Sequence, residues 1–120
     1  MFGVESPKKD NMIAEQTKEI LERDYADPML TLSLVAEELN VSLPYVSRMF
    51  KQHFQQGALE YLNKYRIQKA KLLLADKSMN IKSIAISVGF NSDITFIRVF
   101  KKYENITPGK YLKDTPLTKN

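Results

Sequence analysis

The chain has 120 residues and no cysteine, so disulfides, thiolate metal sites and cysteine nucleophiles are excluded. Hydrophobic residues make up 43% of the sequence and charged residues 27%, which favours one folded domain, or two very small lobes sharing a core, over a disordered chain. No apolar run approaches membrane-spanning length and no signal peptide is visible, so we expect a cytoplasmic protein without a membrane partner.

Charge is distributed unevenly along the chain, whose formal net charge is +4. Residues 1–42 contain four Lys/Arg and nine Asp/Glu, whereas residues 43–120 contain fourteen and five. The basic part would attract a polyanion at long range. From charge alone, a solvated lysine-rich face explains the asymmetry equally well.

The first ten residues show no periodic apolar stripe, and we expect them to form a linker or a remnant of cloning. From Asn11, a suitable N-cap, the sequence predicts a helix that Asp27-Pro28 ends. Its inward positions recur at helical spacing: Ile13, Thr17, Ile20 and Leu21.

Two short helices are predicted next. Thr31 caps a helix over residues 32–39, and Asn40-Val41 forms a turn. Ser42 can accept an amide hydrogen bond at the start of the following helix, which should run to about Phe54.

A longer helix is predicted from about Ala58 to Ala75, after a break at residues 55–57. Its roughly eighteen residues would span roughly 27 Å at about 1.5 Å per residue. The buried face is predicted to consist of Leu59, Leu62, Ala70, Leu73 and Leu74.

The remaining sequence predicts three more helices and no strand. Asn80 caps a helix over residues 81–88, Gly89 suits a turn that requires positive φ, and another helix runs from Ser92 to about Glu104. A final short helix starts at Thr107, with Pro108 at its first position, where a missing amide donor costs nothing.

The two pairs of short helices repeat one pattern, about fifty positions apart. Before the turn Val35, Ala36 and Leu39 match Ile84, Ala85 and Val88; after it, with one residue inserted, Ser42, Val46, Arg48, Phe50 and Lys51 match Ser92, Phe96, Arg98, Phe100 and Lys101. A repeated unit is a stronger signal than a single motif. Each copy is typical of a helix-turn-helix, and two DNA-contacting helices are the simplest explanation.

Other functional interpretations have weaker support. Val46 and the phenylalanines at 50, 96 and 100 recur at helical spacing, which favours core positions over a base-stacking platform. His53 has no neighbouring ligand pattern, so no metal site is predicted. Neither a phosphate loop nor a paired-carboxylate arrangement is present, so we predict neither catalytic residues nor a cofactor.

In combination, these residues resemble the signature of the AraC/XylS transcription regulators over about residues 15–112. In the second copy the resemblance is carried by Ile84-Ala85, Val88-Gly89-Phe90, Phe96, Arg98, Phe100-Lys101-Lys102, Thr107-Pro108 and Tyr111. Upstream it is carried by Val35-Ala36, Ser42, Tyr45-Val46-Ser47-Arg48, Phe50-Lys51, Tyr61-Leu62, Arg66, Ala70 and Leu73-Leu74. The chain departs from the pattern at Asn105, where the family usually has glycine, and at Leu112, where it usually has arginine.

The resemblance implies an all-α fold of about seven helices, in which the long central helix joins two helix-turn-helix subdomains. The DNA-binding domain would cover residues 11–114: a first lobe over 11–57, the connecting helix over 58–76 and a second lobe over 77–114, with a tail over 115–120. It implies sequence-specific binding of double-stranded DNA in adjacent major grooves and regulation of transcription, with RNA polymerase as a partner. The linker-like start also suggests the output part of a larger regulator, with an upstream sensory or receiver domain.

Exposed side chains early in each recognition helix should set the sequence preference, because base edges in the major groove carry a full hydrogen-bonding code. In the first copy the candidates are Pro44, Tyr45, Ser47, Arg48 and Lys51. In the second they are Ser92, Asp93, Ile94, Ile97, Arg98, Lys101 and Lys102.

The two copies are not equally equipped for base contacts. Arg48 can engage both acceptors of guanine, with a phosphate contact or an intramolecular ion pair as the alternative. Asp93 would be repelled by phosphates and suits a role in helix capping, while Ile94 can contact a thymine methyl and little else. We therefore expect the second copy to discriminate less.

Two other classes of function remain as alternatives. One is a helical protein-interaction module without sequence-specific DNA binding, against which the basic asymmetry and the matched Arg48 and Arg98 argue. The other is an RNA-binding domain, which is weaker because the chain lacks aromatic strand platforms for unpaired bases.

Overall fold

The computed structural model describes residues 7–76 and 78–114, and within them the chain forms seven α-helices and no strand. The helices are α1 (Pro7–Asp24), α2 (Leu32–Leu39), α3 (Leu43–Phe54), α4 (Ala58–Leu74), α5 (Ile81–Ser87), α6 (Asp93–Glu104) and α7 (Pro108–Asp114). The predicted all-α class is confirmed. The tail expected over residues 115–120 and the first six residues of the expected linker lie outside the described residues.

Helix α1 starts earlier than the sequence suggested. It begins at Pro7 instead of at an Asn11 cap, so residues 7–10 of the predicted linker are helical. Proline is compatible with this position because the first amides of a helix have no acceptor within the helix. The predicted inward stripe is confirmed, since Ile13, Thr17, Ile20 and Leu21 are all buried.

Four short helices begin at a capping side chain; the caps at Thr31, Ser42 and Asn80 were predicted, and Ser92, predicted as the start of its helix, also caps it. In each, a polar side chain accepts a hydrogen bond from the amide three residues later, which satisfies a donor that has no helical acceptor. The pairs are Thr31 with Leu34, Ser42 with Tyr45, Asn80 with Ser83, and Ser92 with Thr95, at 3.2, 3.2, 2.8 and 3.2 Å.

The chain divides into two compact units, and the division lies within α4. The first unit comprises the chain to Tyr25 together with Met29–Leu62, and the second comprises Ala26–Pro28 together with the chain from Asn63. Helix α4 therefore contributes its first turns to one unit and its remainder to the other.

In the first unit, α1 and α2 pack against α3 around Phe50. The Phe50 side chain is fully buried, with its ring centroid 4.7 Å from that of Phe54 and 5.6 Å from that of Tyr61. The Tyr61 hydroxyl donates to the Glu22 carboxylate of α1. Phe50 thus connects the recognition helix to the start of α4.

The second unit repeats this packing around Phe100. Phe96 and Phe100 are fully buried, with ring centroids 5.7 Å apart, and the Tyr111 ring lies 5.5 Å from Phe100. Tyr111 follows Phe100 by the same interval that separates Tyr61 from Phe50. The duplication therefore extends beyond the helix-turn-helix into the next helix, and the prediction that these phenylalanines form core is confirmed.

The buried face of α4 is only partly as predicted. Leu62, Ala70 and Leu74 are buried, but Leu59 is 60% exposed and Ile67, which was not predicted, is 1% exposed. Leu73 is half-buried. The buried stripe drifts around the helix, because buried positions recur every four residues whereas an α-helix repeats every 3.6. A single straight stripe therefore misplaces Leu59.

Arg66 is the one charged side chain in the described part of the chain that is largely buried, at 7% exposed. Its guanidinium donates to the Asp27 carbonyl at 3.1 Å and lies 5.6 Å from the Phe90 ring. Burial lowers the pKa of Arg66, while the charge of Asp27 acts in the opposite direction. Arg66 thereby attaches the loop over Ala26–Pro28 to the second unit.

The turn between the helices of each copy requires a left-handed backbone. Asn40 has φ of 59° and Gly89 has φ of 102°, so the predicted positive φ at Gly89 is confirmed. Asparagine tolerates the first value, whereas the second strongly favours glycine.

Replacing Gly89 by alanine is expected to destabilise the second unit by about 1 kcal/mol or more, because a Cβ is strained at this backbone conformation. Gly109→Ala is the matched control, because Gly109 lies within helix α7 and a Cβ there would meet nothing within 4 Å beyond its chain neighbours and its own helix backbone. It should stabilise the protein by up to about 1 kcal/mol. Urea unfolding of both variants measures the difference, and destabilisation of equal size in both would contradict this explanation.

Candidate nucleic-acid interface

The predicted recognition helices are α3 and α6, each the second helix of a packed pair. Their caps, Ser42 and Ser92, determine where each helix begins. Both helices end at a left-handed residue, Gln55 in one and Asn105 in the other. In each case that residue's amide donates to the carbonyl of a lysine four positions earlier, at 2.8 Å. Asn105 therefore adopts the conformation for which glycine is otherwise favoured.

Helix α3 separates a buried face from an exposed, basic one. Val46, Met49 and Phe50 face the core. Four of the five predicted contact residues are exposed: Pro44, Ser47, Arg48 and Lys51. Leu43 and Gln52 are also exposed and were not among the predicted contact residues.

Tyr45 is not part of the exposed face, and the expectation that it would be is wrong. Its side chain is only 8% exposed and belongs to the core of the first unit. The Tyr45 hydroxyl donates to Asp10 Oδ1 at 2.6 Å. Asp10 lies 35 residues earlier in the chain, within the stretch predicted to be a linker, so no local pattern indicated this contact.

Arg48 is exposed beside Tyr45. Its guanidinium carbon lies 5.7 Å from the centre of the Tyr45 ring, within the range of a cation–π contact. Among the described residues Arg48 forms no ion pair. The alternative of an intramolecular ion pair therefore has no support, and the guanidinium is available to an external acceptor.

The contact residues predicted on α6 differ in exposure. Ile94 is 75% exposed, and Arg98, Lys101 and Lys102 are exposed as well. Ser92, Asp93 and Ile97 are half-buried. The Ser92 hydroxyl accepts from the Thr95 amide and also contacts the Thr95 hydroxyl at 3.2 Å. Ser92 and Asp93 lie at the helix start, where a capping role explains both.

Two acidic residues of the first unit pair with Arg23 of α1. Arg23 contacts Asp24 at 2.6 Å and Glu38 at 2.9 Å. These hydrogen bonds hold the pKa of both carboxyl groups below the usual value. The exposed predicted contact residues on α3 and α6 include no carboxylate and five cations: Arg48, Lys51, Arg98, Lys101 and Lys102.

His53, at the end of α3, lies 2.8 Å from the Glu15 carboxylate. In residues 7–76 and 78–114 no three potential metal-ligating side chains converge. None of the helices in these residues combines the length and the apolar character that spanning a bilayer requires.

Comparison with known proteins gives a consistent assignment. A family model described as "Helix-turn-helix domain" matches residues 35–114. The HTH-type transcriptional regulator YtdP of Bacillus subtilis is 40% identical over 82 residues, which are 68% of this chain and 11% of that protein. The arabinose operon regulatory protein of Escherichia coli is 31% identical over 105 residues, covering 88% of this chain and 36% of that protein. The chain thus spans well under half the length of both relatives.

Two solved structures share the fold. The C-terminal domain of AraT, a response regulator from Geobacillus stearothermophilus, superposes with a TM-score of 0.83 at 34% identity, covering 92% of this chain and 87% of that one. The C-terminal domain of the two-component response regulator yesN from Fusobacterium nucleatum has a TM-score of 0.78 at 42% identity, covering 82% and 95%.

The Ser42 cap can be tested on α3. Ser42→Ala should cost about 0.5–2 kcal/mol of stability, because the Tyr45 amide loses its acceptor. Ser47→Ala, at an exposed interior position of the same helix, is the control and should change stability by no more than about 0.5 kcal/mol. Urea unfolding together with hydrogen exchange at the Tyr45 amide checks both. Unchanged exchange in Ser42→Ala would show that the cap does not hold the helix start.

Proposed function

This chain belongs to the AraC/XylS family of helix-turn-helix transcription regulators, and on that premise we propose that it binds double-stranded DNA sequence-specifically and so regulates transcription. The observation that carries the proposal is the pair of capped helices, α3 and α6, each with a buried aromatic face and an exposed basic face. An α-helix of this kind fits the major groove, where each base pair presents a distinct pattern of donors, acceptors and methyl groups.

In this proposal α3 is the more selective helix. Its exposed face places Pro44 and Ser47 in the first turns, followed by Arg48 and Lys51. Arg48 is assigned to a guanine, because its planar group can donate to both O6 and N7. Lys51, a point charge closer to the helix end, suits a phosphate.

Helix α6 contributes more to affinity than to selectivity. Ile94 is its most exposed early residue and offers only an apolar surface, which matches a thymine methyl. Arg98, Lys101 and Lys102 provide positive charge further along the helix, suited to phosphates. Such contacts position a protein on DNA without selecting a sequence.

The proposal includes a place in a larger regulator. The relatives are much longer than the matched region, and AraT and yesN are response regulators whose C-terminal domains share this fold. An upstream receiver or sensory domain and RNA polymerase are the proposed partners. A coding region that begins at Met1, with no partner domain ahead of it, would contradict the first of these.

Gel shifts with duplex DNA, single-stranded RNA and competitor DNA test the function itself. Specific retardation of selected duplexes supports the proposal. Retention of RNA alone would favour the RNA-binding alternative, and retention of neither would favour a protein-interaction module.

Arg48→Ala is expected to relax base preference in one half of the bound site and to cost roughly 1 to 3 kcal/mol on the preferred sequence, because a bidentate donor is lost. Lys102→Ala is the matched charge-removing control. It should weaken all sequences about equally and flatten the salt dependence. Selection of sites from random duplexes and salt titrations distinguish the two. An unchanged consensus with Arg48→Ala would reassign Arg48 to the phosphate backbone.

Two recognition helices in one chain are expected to occupy major-groove segments about one helical turn, 10 to 10.5 base pairs, apart. Footprinting of a selected site should therefore show two protected segments on one face of the duplex. Inserting 5 base pairs between them places the segments on opposite faces, and both should lose protection together. A single short footprint that tolerates the insertion would mean that the first helix-turn-helix binds alone. Such binding would avoid the cost of bending the DNA for joint docking, which is about 1 to 6 kcal/mol.

A further inference from the structure

We infer that Tyr45 is a positioning residue that orients Arg48 for base contact, and that the second helix-turn-helix lacks this device. The inference rests on the proposed function, since it assigns a cause to the selectivity of α3. Tyr45 itself does not contact bases in this account, because its side chain belongs to the core.

The Tyr45 side chain is held by core packing and by a hydrogen bond. Its ring packs within the core of the first unit, where the side chain is 8% exposed. Its hydroxyl donates to the Asp10 carboxylate of α1 at 2.6 Å. A hydrogen bond to a charged acceptor is stronger than one between neutral groups, so the ring has one well-defined orientation.

Arg48 lies one turn after Tyr45 on the same helix, with its guanidinium carbon 5.7 Å from the ring centre. An unconstrained arginine side chain on the protein surface samples many rotamers and loses that conformational entropy when it binds a base. Contact with a fixed aromatic ring removes part of this freedom before DNA arrives. Because bidentate contact with guanine depends on the orientation of the guanidinium plane, restricting the rotamers favours guanine over other acceptors.

The second copy provides an internal comparison. Arg98 occupies the place of Arg48, but position 95, which matches Tyr45, is threonine. The Thr95 hydroxyl contacts Ser92 at 3.2 Å and has no ring on which a guanidinium can stack. The two copies therefore share a buried framework and differ in the residue three positions before the matched arginine, which is tyrosine in α3 and threonine in α6.

The test uses the 120-residue protein and a site selected by the wild type from random duplexes. The base pair whose preference disappears in Arg48→Ala identifies the position that Arg48 contacts. Guanine preference at that position is then measured for Tyr45→Phe, which keeps the ring, and Tyr45→Leu, which removes it. We expect Tyr45→Phe to retain most of the preference, and Tyr45→Leu to lose about two- to fivefold, the range of an exposed cation–π contact. The salt dependence should be unchanged in both.

Three outcomes would contradict the proposed function or the positioning role of Tyr45. A wild-type protein that selects no consensus overturns the proposed function, and this inference with it. A Tyr45→Leu variant that binds every sequence more weakly by one factor, with guanine preference intact, overturns the positioning role alone. Equal loss of preference in Tyr45→Phe and Tyr45→Leu shows that the ring does not orient Arg48 once the hydrogen bond to Asp10 is lost, and also overturns the role assigned to the ring contact.

A measurement on the free wild-type protein is independent of how the variants fold. The ring current of Tyr45 should shift the Arg48 side-chain proton resonances upfield relative to those of Arg98, which has threonine instead of an aromatic residue three positions earlier. The shift should persist in Tyr45→Phe. Indistinguishable Arg48 and Arg98 side-chain resonances in the wild type would contradict the stacking on which the inference depends.

Discussion

Burial of one phenylalanine in the middle of each recognition helix is the constraint on which the rest of this structure depends. Phe50 and Phe100 are fully buried and each contacts a tyrosine eleven positions later, Tyr61 or Tyr111. Because side chains on a helix are fixed about 100° apart, burying this position sets the rotation of the helix about its own axis. The cations at Arg48, Lys51, Arg98 and Lys101 are thereby directed away from the core.

The two copies combine a shared framework with different surfaces. Both copies have a serine cap, a left-handed residue in the turn and another at the end of the recognition helix. The phenylalanine–tyrosine contact also recurs. The residues of the first turn do not recur: α3 begins with Leu43 and Pro44, and α6 with Asp93 and Ile94. A duplicated core can stay the same because packing constrains it, while solvent-facing positions vary at little cost in stability. The difference in base preference that we propose between the copies would therefore arise outside the framework.

Long-range polar contacts add to this framework at specific points. Asp10 reaches Tyr45, Glu22 reaches Tyr61, and Lys71 pairs with Glu104 at 3.0 Å. Each joins a helix of the supporting scaffold to a tyrosine or to the end of a recognition helix. Partly buried contacts of this kind are screened less than pairs on an open surface, so they contribute to the stability of the helix packing.

The sequence by itself determined the number of helices, the caps of α2, α3 and α5, the turn at Gly89 and the buried phenylalanines, because those signals depend on residues three or four positions apart. It also placed the exposed cations on two equivalent helices. It did not determine the start of α1. Tertiary structure alone decided that Tyr45 is buried, that Leu59 is exposed and that Ile67 is core. Whether a helical position is buried depends on which distant segment lies against it, as Asp10 does for Tyr45. In α4 it also depends on the division of the helix between two units. Neither can be inferred from residues three or four positions apart.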